Sequence, residues 1–304
     1  MNAVNLPFFG DNPDLKKLPR PDRSLPDASL LSQVFLDEPY ASISKSQKLD
    51  VYICLNGRKP CPVVIWLHEG GWCLGDKRDD ISRFASPLLA NGYAVISANY
   101  RLSTEVCFPG QIHDVKTVIR WVRANARKYG FDSDRIIVAG GSAGGHLAAL
   151  AGTSVGVREL EDLKLGYSDF PSGVSAVIDW YGPVDFLKLD EHHKVLGQAS
   201  YHNDPNSPES LLLGGQINRV PEICKMASPL TYISSDCPPF YIQHGKADTM
   251  VPYLQSVELA ETIRHKAGKD RVVLELVEGA GHFDPVHRSP EYMEKVINFL
   301  KRIW

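Results

Sequence analysis

Arg135-Ile-Ile-Val-Ala-Gly-Gly-Ser-Ala-Gly-Gly-His-Leu-Ala-Ala-Leu150 decides how the chain is read, because an apolar run passes through a glycine-flanked serine straight into a helix-forming run. Residues 136–139 are expected to form a strand, and Leu147, Ala148, Ala149 and Leu150 favour helix. Between them Gly140, Gly141, Ser142, Ala143 and Gly144 match the GxSxG frame of a nucleophile elbow, a sharp turn that exposes the serine hydroxyl above a sheet. Side chains at 140 and 144 would collide where strand and helix converge, so glycine at both flanks answers a steric demand. The turn also puts Ser142 at a helix N-terminus, where unpaired N–H groups favour developing negative charge. A chain with 24 glycines can produce a bare GxSxG by chance. The strand and helix signals on either side set this one apart.

A serine hydroxyl is a weak nucleophile at neutral pH, so the reading requires a general base and an acid to orient it. Residues 240–245 read as a buried strand, with Asp248 in the loop that follows. The next strand, 272–277, runs into Glu278-Gly-Ala-Gly-His-Phe283 and puts His282 just past a strand end. Catalytic groups of open parallel sheets gather beyond the carboxyl ends of the strands, so Ser142, Asp248 and His282 are expected to converge. Asp284, Asp185 and Asp236 are rivals for the acid, and Asp248 could instead cap a helix starting near Pro252. A tetrahedral intermediate also needs fixed donors for its oxyanion. The apolar strand 62–67 ends in His68-Glu-Gly-Gly-Trp72, which nominates the N–H groups of Gly70 and Gly71 together with that of Ala143. His68-Glu69 opens like the zinc-binding HExxH pattern, but Trp72 stands where the second histidine is required. The chemistry therefore calls for no metal and no cofactor.

The HGG-type loop, Asn99-Tyr-Arg-Leu-Ser103, the GGSAGGH run ending at His146, the segment from His244 through Asp248 to Pro252 and the loop ending at His282 together resemble the α/β-hydrolase fold. The nearest likeness is to the hormone-sensitive-lipase-like branch of acetyl and feruloyl (xylan side-chain) esterases, from about residue 49 onward. The resemblance implies a mostly parallel central sheet flanked by helices, with a cap or insert region. It also implies a serine carboxylesterase acting on short-chain acyl esters, with acetyl or feruloyl esters of plant polysaccharide as candidate substrates. Ser142 would then be the nucleophile, His282 the base, Asp248 its orienter, and Gly70, Gly71 and Ala143 would surround the oxyanion. The chain departs from that family at Glu69, where glycine is common, which leaves open which loop amides point inward. An amidase-type hydrolase (an arylformamidase or small peptidase) would use the same groups. A non-catalytic hydrolase-like binding protein usually lacks a triad member, whereas this chain has all three.

With 304 residues, 43% hydrophobic and 23% charged, the chain can bury a large core. One domain over 1–304 is the simplest arrangement, with 1–30 as a proline-rich arm and cap-like insertions within 153–235. A net charge of −3 and a pI near 6.4 offer no basic patch for nucleic acid. No apolar run approaches the ~20 residues of a bilayer span, and residues 1–16 lack the features of a secretory signal. Strands are expected at 34–40, 49–55, 93–99 and 174–180, an amphipathic helix at 111–129 and a closing helix at 290–304. Cys54, Cys61, Cys73, Cys107, Cys224 and Cys237 show no CxxC pair, and most are expected as buried thiols. His192-His193 reads as a solvated pair rather than a ligand site. The polar stretch 191–209 reads equally as a mobile covering loop or a plain surface excursion. Trp72, Trp180 and Tyr181, near strand ends, are expected either to line a substrate pocket or to pack in the core. Acyl length, alcohol and oligomeric state are not legible in these residues.

Overall fold

Eight strands form one sheet in the computed structural model, which describes residues 21–304. They are β1 (Leu31–Pro39), β2 (Lys48–Cys54), β3 (Cys61–Leu67), β4 (Ala94–Ala98), β5 (Phe131–Gly141), β6 (Ala176–Trp180), β7 (Phe240–Gly245) and β8 (Val272–Val277). The spatial order is β1-β2-β4-β3-β5-β6-β7-β8, and β2 alone runs against the others. β4, β6 and β7 are buried along their whole length, the pattern of strands covered on both faces. The cover comes from helices α1 (Ile81–Ala90), α2 (Gly110–Ala124), α3 (Ala126–Tyr129), α4 (Ala143–Thr153), α5 (Leu189–Val195), α6 (Pro208–Leu213), α7 (Pro221–Ala227), α8 (Leu254–Lys266) and α9 (Pro290–Arg302). Among them α1 packs against α9, and α2 against α4. This is the α/β-hydrolase arrangement that the sequence implies. The leader expectation and most of the expected arm lie outside the described residues.

Several local expectations change. Helix α1 was not anticipated, although Ile81, Phe84, Ala85, Leu88 and Leu89 form its buried stripe, because Pro87 interrupts the helical signal from within. The helix expected over 111–129 breaks at Asn125, where both the backbone N–H and the Nδ2 amide donate to the Trp121 carbonyl. Gly130, left-handed at φ 74°, then ends α3. No described helix is long and apolar enough to cross a membrane.

All six cysteines are free thiols, and only Cys107 is exposed. A thiol reagent should therefore titrate one group rapidly in the native protein and six after denaturation, whereas three or more fast groups would contradict this packing.

The core holds one conspicuous acid. Asp179 in β6 is fully buried, with Oδ1 accepting from the Gly182 N–H at 3.0 Å and Oδ2 without a partner among the described residues. Burial pushes its carboxyl up to about 7. Between the ordinary carboxylate range and pH 7 the folded protein then binds a proton that the unfolded chain releases, so stability falls as pH rises across that window. Asp179→Asn removes the titration. The stability of this variant relative to the parent should be nearly level at about pH 3.5 and rise to a maximum above pH 7, a gain of at most about 4 kcal/mol read as a higher melting temperature. A difference independent of pH would show that Asp179 does not take up this proton.

Candidate active site

The turn between β5 and α4 contains the most tightly constrained backbone in the fold. A Cβ at Gly140 would strike the backbone of Gly144, and one at Gly144 would strike the carbonyls of Leu67 and His68. Ser142, between them, adopts φ 52° and ψ −120°, a conformation L-residues rarely take. Its N–H donates to the Trp180 carbonyl at 2.9 Å, and its own carbonyl accepts from His146 N–H at 2.9 Å. The hydroxyl is thereby held at the N-terminus of α4, above the carboxyl end of β5.

Loops from three other strand ends meet it. His282, in the loop after β8, has Nε2 2.8 Å from Ser142 Oγ and Nδ1 2.6 Å from Asp248 Oδ2. With Nδ1–H donating to the carboxylate, Nε2 presents its lone pair to the serine O–H. Asp248, after β7, is fully buried and divides its two oxygens. Oδ1 accepts the N–H groups of Met250 and Val251 at 2.8 and 2.9 Å, and Oδ2 faces the imidazole. Asp248 does not cap the helix that follows Pro252, which starts after Tyr253 with no side-chain cap; one oxygen closes its own turn and the other serves the site. Burial alone would raise the Asp248 carboxyl. The charges and hydrogen bonds of His282 and His244 together outweigh it and hold the group well below the usual carboxylate range. The rival acids lie elsewhere: Asp284 and Asp185 cap short 3₁₀ turns, and Asp236 is exposed.

His244 has a place at the site that sequence reasoning missed. Its Nε2–H is shared between Asp248 Oδ2 at 3.1 Å and the Val251 carbonyl at 2.9 Å, while Nδ1 accepts from the Ser256 hydroxyl at 2.7 Å. The available signal was proximity in the chain, since His244 stands at the end of the strand 240–245 and only four residues before Asp248.

In the loop after β3, Gly70, Gly71 and Trp72 take positive φ values of 111°, 56° and 59° in succession. The Gly70 carbonyl accepts from both Cys73 and Leu74 N–H, and a Cβ at Gly70 would strike the Leu74 carbonyl. Among the described residues, the N–H groups of Gly70, Gly71 and Ala143 donate to no protein acceptor, as donors kept for a bound group would. Glu69, the departure noted above, accepts from Arg288 Nη2 at 2.7 Å and from the Tyr181 hydroxyl at 2.7 Å.

The three aromatic side chains read as pocket or core are core. Trp180 is fully buried against Trp66 and Phe84, so it lines no open pocket. Trp72 is 2% exposed and its indole N–H donates to His146 Nδ1 at 3.2 Å. Tyr181 is buried with its ring 4.8 Å from that of His282.

The histidine pair also requires correction, because His193 is buried and His192 partly so, both with side-chain partners. His193 is 1% exposed, bonding Gln198 through Nδ1 and His202 through Nε2, while His192 bonds Gln255. His202 in turn bonds Glu209, and Gln198 Nε2 donates to the Asp248 carbonyl at 2.9 Å. The stretch 191–209 is consequently docked on the loop that carries the acid.

The family described as BD-FAE matches residues 49–263. Esterase LipQ of Mycobacterium tuberculosis is 32% identical over 273 residues, 88% of this chain and 62% of its own length. The chain spans a little over half the length of the curated relatives it matches. Among solved structures, a truncated carbohydrate esterase from gut microbiota superposes with a TM-score of 0.84 at 32% identity, covering 92% of this chain and 99% of that one. A bifunctional GH43-CE protein of Bacteroides eggerthii gives 0.81 at 34% identity, covering 89% and 35% respectively. The family match spans most of the sheet and the whole elbow, and with it the chain belongs to the BD-FAE family, on the hormone-sensitive-lipase-like esterase branch of the α/β-hydrolase fold.

Proposed function

We propose that the chain is a serine carboxylesterase in which Ser142 is the nucleophile, His282 the general base and Asp248 its orienter, with the N–H groups of Gly70, Gly71 and Ala143 forming the oxyanion hole. The observation that carries this reading is the unbroken contact from Ser142 Oγ through His282 to Asp248, at 2.8 and 2.6 Å, on a serine held at φ 52°. As Ser142 attacks the ester carbonyl, His282 Nε2 takes its proton, and the buried Asp248 carboxylate stabilises the resulting imidazolium. The carbonyl oxygen becomes an oxyanion facing amides that no protein group occupies. His282 then returns the proton to the departing alcohol. Water, deprotonated by the same nitrogen, releases the acid from the acyl-serine.

The substrates we propose are short-chain acyl esters carried on carbohydrate, acetyl or feruloyl esters of plant polysaccharide in particular. Support comes from family membership and from the carbohydrate esterase among the similar structures. A single domain over 1–304, with insertions between residues 153 and 235 covering the site, fits this proposal. The bonds from Gln198 to the Asp248 carbonyl and from His146 Nε2 to the Ala227 carbonyl tie that region to the acid loop and to the helix that follows Ser142.

On p-nitrophenyl acetate, Ser142→Ala and His282→Ala should each lower kcat by roughly 10⁶-fold, and Asp248→Asn by about 10⁴-fold, while melting temperatures stay within a few degrees of the parent. Folded alanine variants with near-normal turnover would refute the assignment. Against matched acetyl, butyryl, octanoyl and feruloyl esters, kcat/KM should be highest for acetyl or feruloyl. Preference for octanoyl, or faster cleavage of the matching anilide, would replace the proposed substrate class.

A further inference from the structure

We propose that Glu69, Arg288 and Tyr181 form a charge-balanced clamp that sets the oxyanion loop against the base-bearing loop, making them positioning residues for the reaction. The inference rests on the esterase reading above and deepens it. Its centre is one atom. Glu69 Oε1 accepts from Arg288 Nη2 at 2.7 Å and from the Tyr181 hydroxyl at 2.7 Å, and a Cβ at Gly141, the residue before Ser142, would run into it. Glu69 directly precedes Gly70 and Gly71, Arg288 follows His282 in the loop leading to α9, and Tyr181 begins the loop after β6. Three loops and the elbow thus meet at a single carboxylate oxygen.

Each member is held from behind. The Arg288 side chain is 9% exposed, with its guanidinium 5.6 Å from the Trp66 ring and 5.7 Å from that of Trp180. Flanked by two indoles, it is stripped of water on those sides and keeps its charge in a fixed place. Tyr181, at φ 45°, lays its ring 4.8 Å from that of His282 while its hydroxyl reaches Glu69. The tyrosine therefore links the carboxylate to the imidazole through one rigid ring.

A buried ion pair gives little net stability over apolar packing, so stability alone does not account for one here. Charge balance does. A bare carboxylate beside amides that receive an oxyanion would oppose the negative charge formed there, and the guanidinium cancels it. Removing either partner should then act on the reaction as well as on the fold, and with opposite electrostatic sign.

The test compares Glu69→Gln, Arg288→Gln, the double variant and Arg288→Lys with the parent, using p-nitrophenyl acetate from pH 4.5 to 9 alongside thermal melts. Asp248, His244, Tyr181 and His287 are the groups facing His282, and none is altered in these variants. Each glutamine single variant should lose kcat by between roughly 10-fold and 100-fold with KM within about twofold. The acidic limb of kcat/KM should move down by about half a pH unit in Glu69→Gln, which loses a negative charge, and up by a similar amount in Arg288→Gln. The double variant, with both charges gone, should lose less than the product of the two single losses and return the limb to its parental position. Arg288→Lys should leave the limb in place.

A purely structural pair would lower the melting temperature without moving the limbs apart. Parental kcat in both single variants, or limbs shifted in the same direction, overturns the clamp. If Arg288→Gln does not fold, Glu69→Gln and Arg288→Lys decide between the same outcomes. A parent enzyme inactive on every ester tested would instead sink the esterase reading itself, whereas an active parent and an inert Ser142→Ala confine any failure to the clamp.

Discussion

Strand β5 and helix α4 approach each other so closely that neither Gly140 nor Gly144 has room for a methyl group. Much of the site follows from this contact. The obstacles to a side chain at Gly144 are the carbonyls of Leu67 and His68, so the approach that bends Ser142 also seats α4 against the start of the oxyanion loop. At Gly145 the obstacle is Asp179 Oδ1, which brings the end of β6 into the same contact. Glycine removes side-chain bulk where four backbones converge, and the strain at φ 52° is carried by the one residue whose hydroxyl must project.

Convergence brings the loops together, but the orientation of their side chains depends on how hydrogen bonds are divided. Asp248 has two oxygens and uses one to close its own turn, leaving the other aimed at His282. His244 fixes that second oxygen from the side, and its own ring is tied down by Ser256 in α8. Gln198 holds the same loop through the Asp248 carbonyl. An acid anchored at both carboxylate oxygens and at its backbone has little freedom to rotate away from the imidazole, and catalysis by orientation depends on that restriction.

What could be read in the sequence was whatever local sterics or strand order determines. The elbow was legible because only glycine fits its flanks, and the loops of Asp248 and His282 because each follows an unmistakable buried strand. Contacts between residues far apart in the chain left no local trace. Nothing near Glu69 announces that Arg288 lies 219 positions away, and the two adjacent histidines at 192 and 193 look solvated until Gln255, Gln198 and His202 are placed around them. The aromatics near strand ends were ambiguous for a related reason. A tryptophan at a strand terminus faces either the cleft or a covering helix, and the packing of α1 beneath Trp66 and Trp180, through Phe84, decides it. That helix was itself obscured by Pro87.

Several imidazoles crowd this region, and two of them, His146 and His287, are arranged so that gaining a proton is opposed. His146 presents Nδ1 to the Trp72 indole N–H and donates from Nε2 to the Ala227 carbonyl. His287 faces the Gln243 amide through Nδ1 and the Gly281 carbonyl through Nε2. Burial pushes both down to about 4. Protonating either ring would set N–H against N–H, because an indole or amide donor cannot give up its proton and become an acceptor. At His282 the group facing the lone pair is a hydroxyl, and the hydroxyl supplies the very proton the ring accepts. The negative charge that must remain close to the new imidazolium belongs to Asp248, since that of Glu69 is already matched by Arg288. The preference for His282 over His146 and His287 therefore comes from what each neighbouring donor becomes after transfer, and burial reinforces it by keeping those two rings neutral.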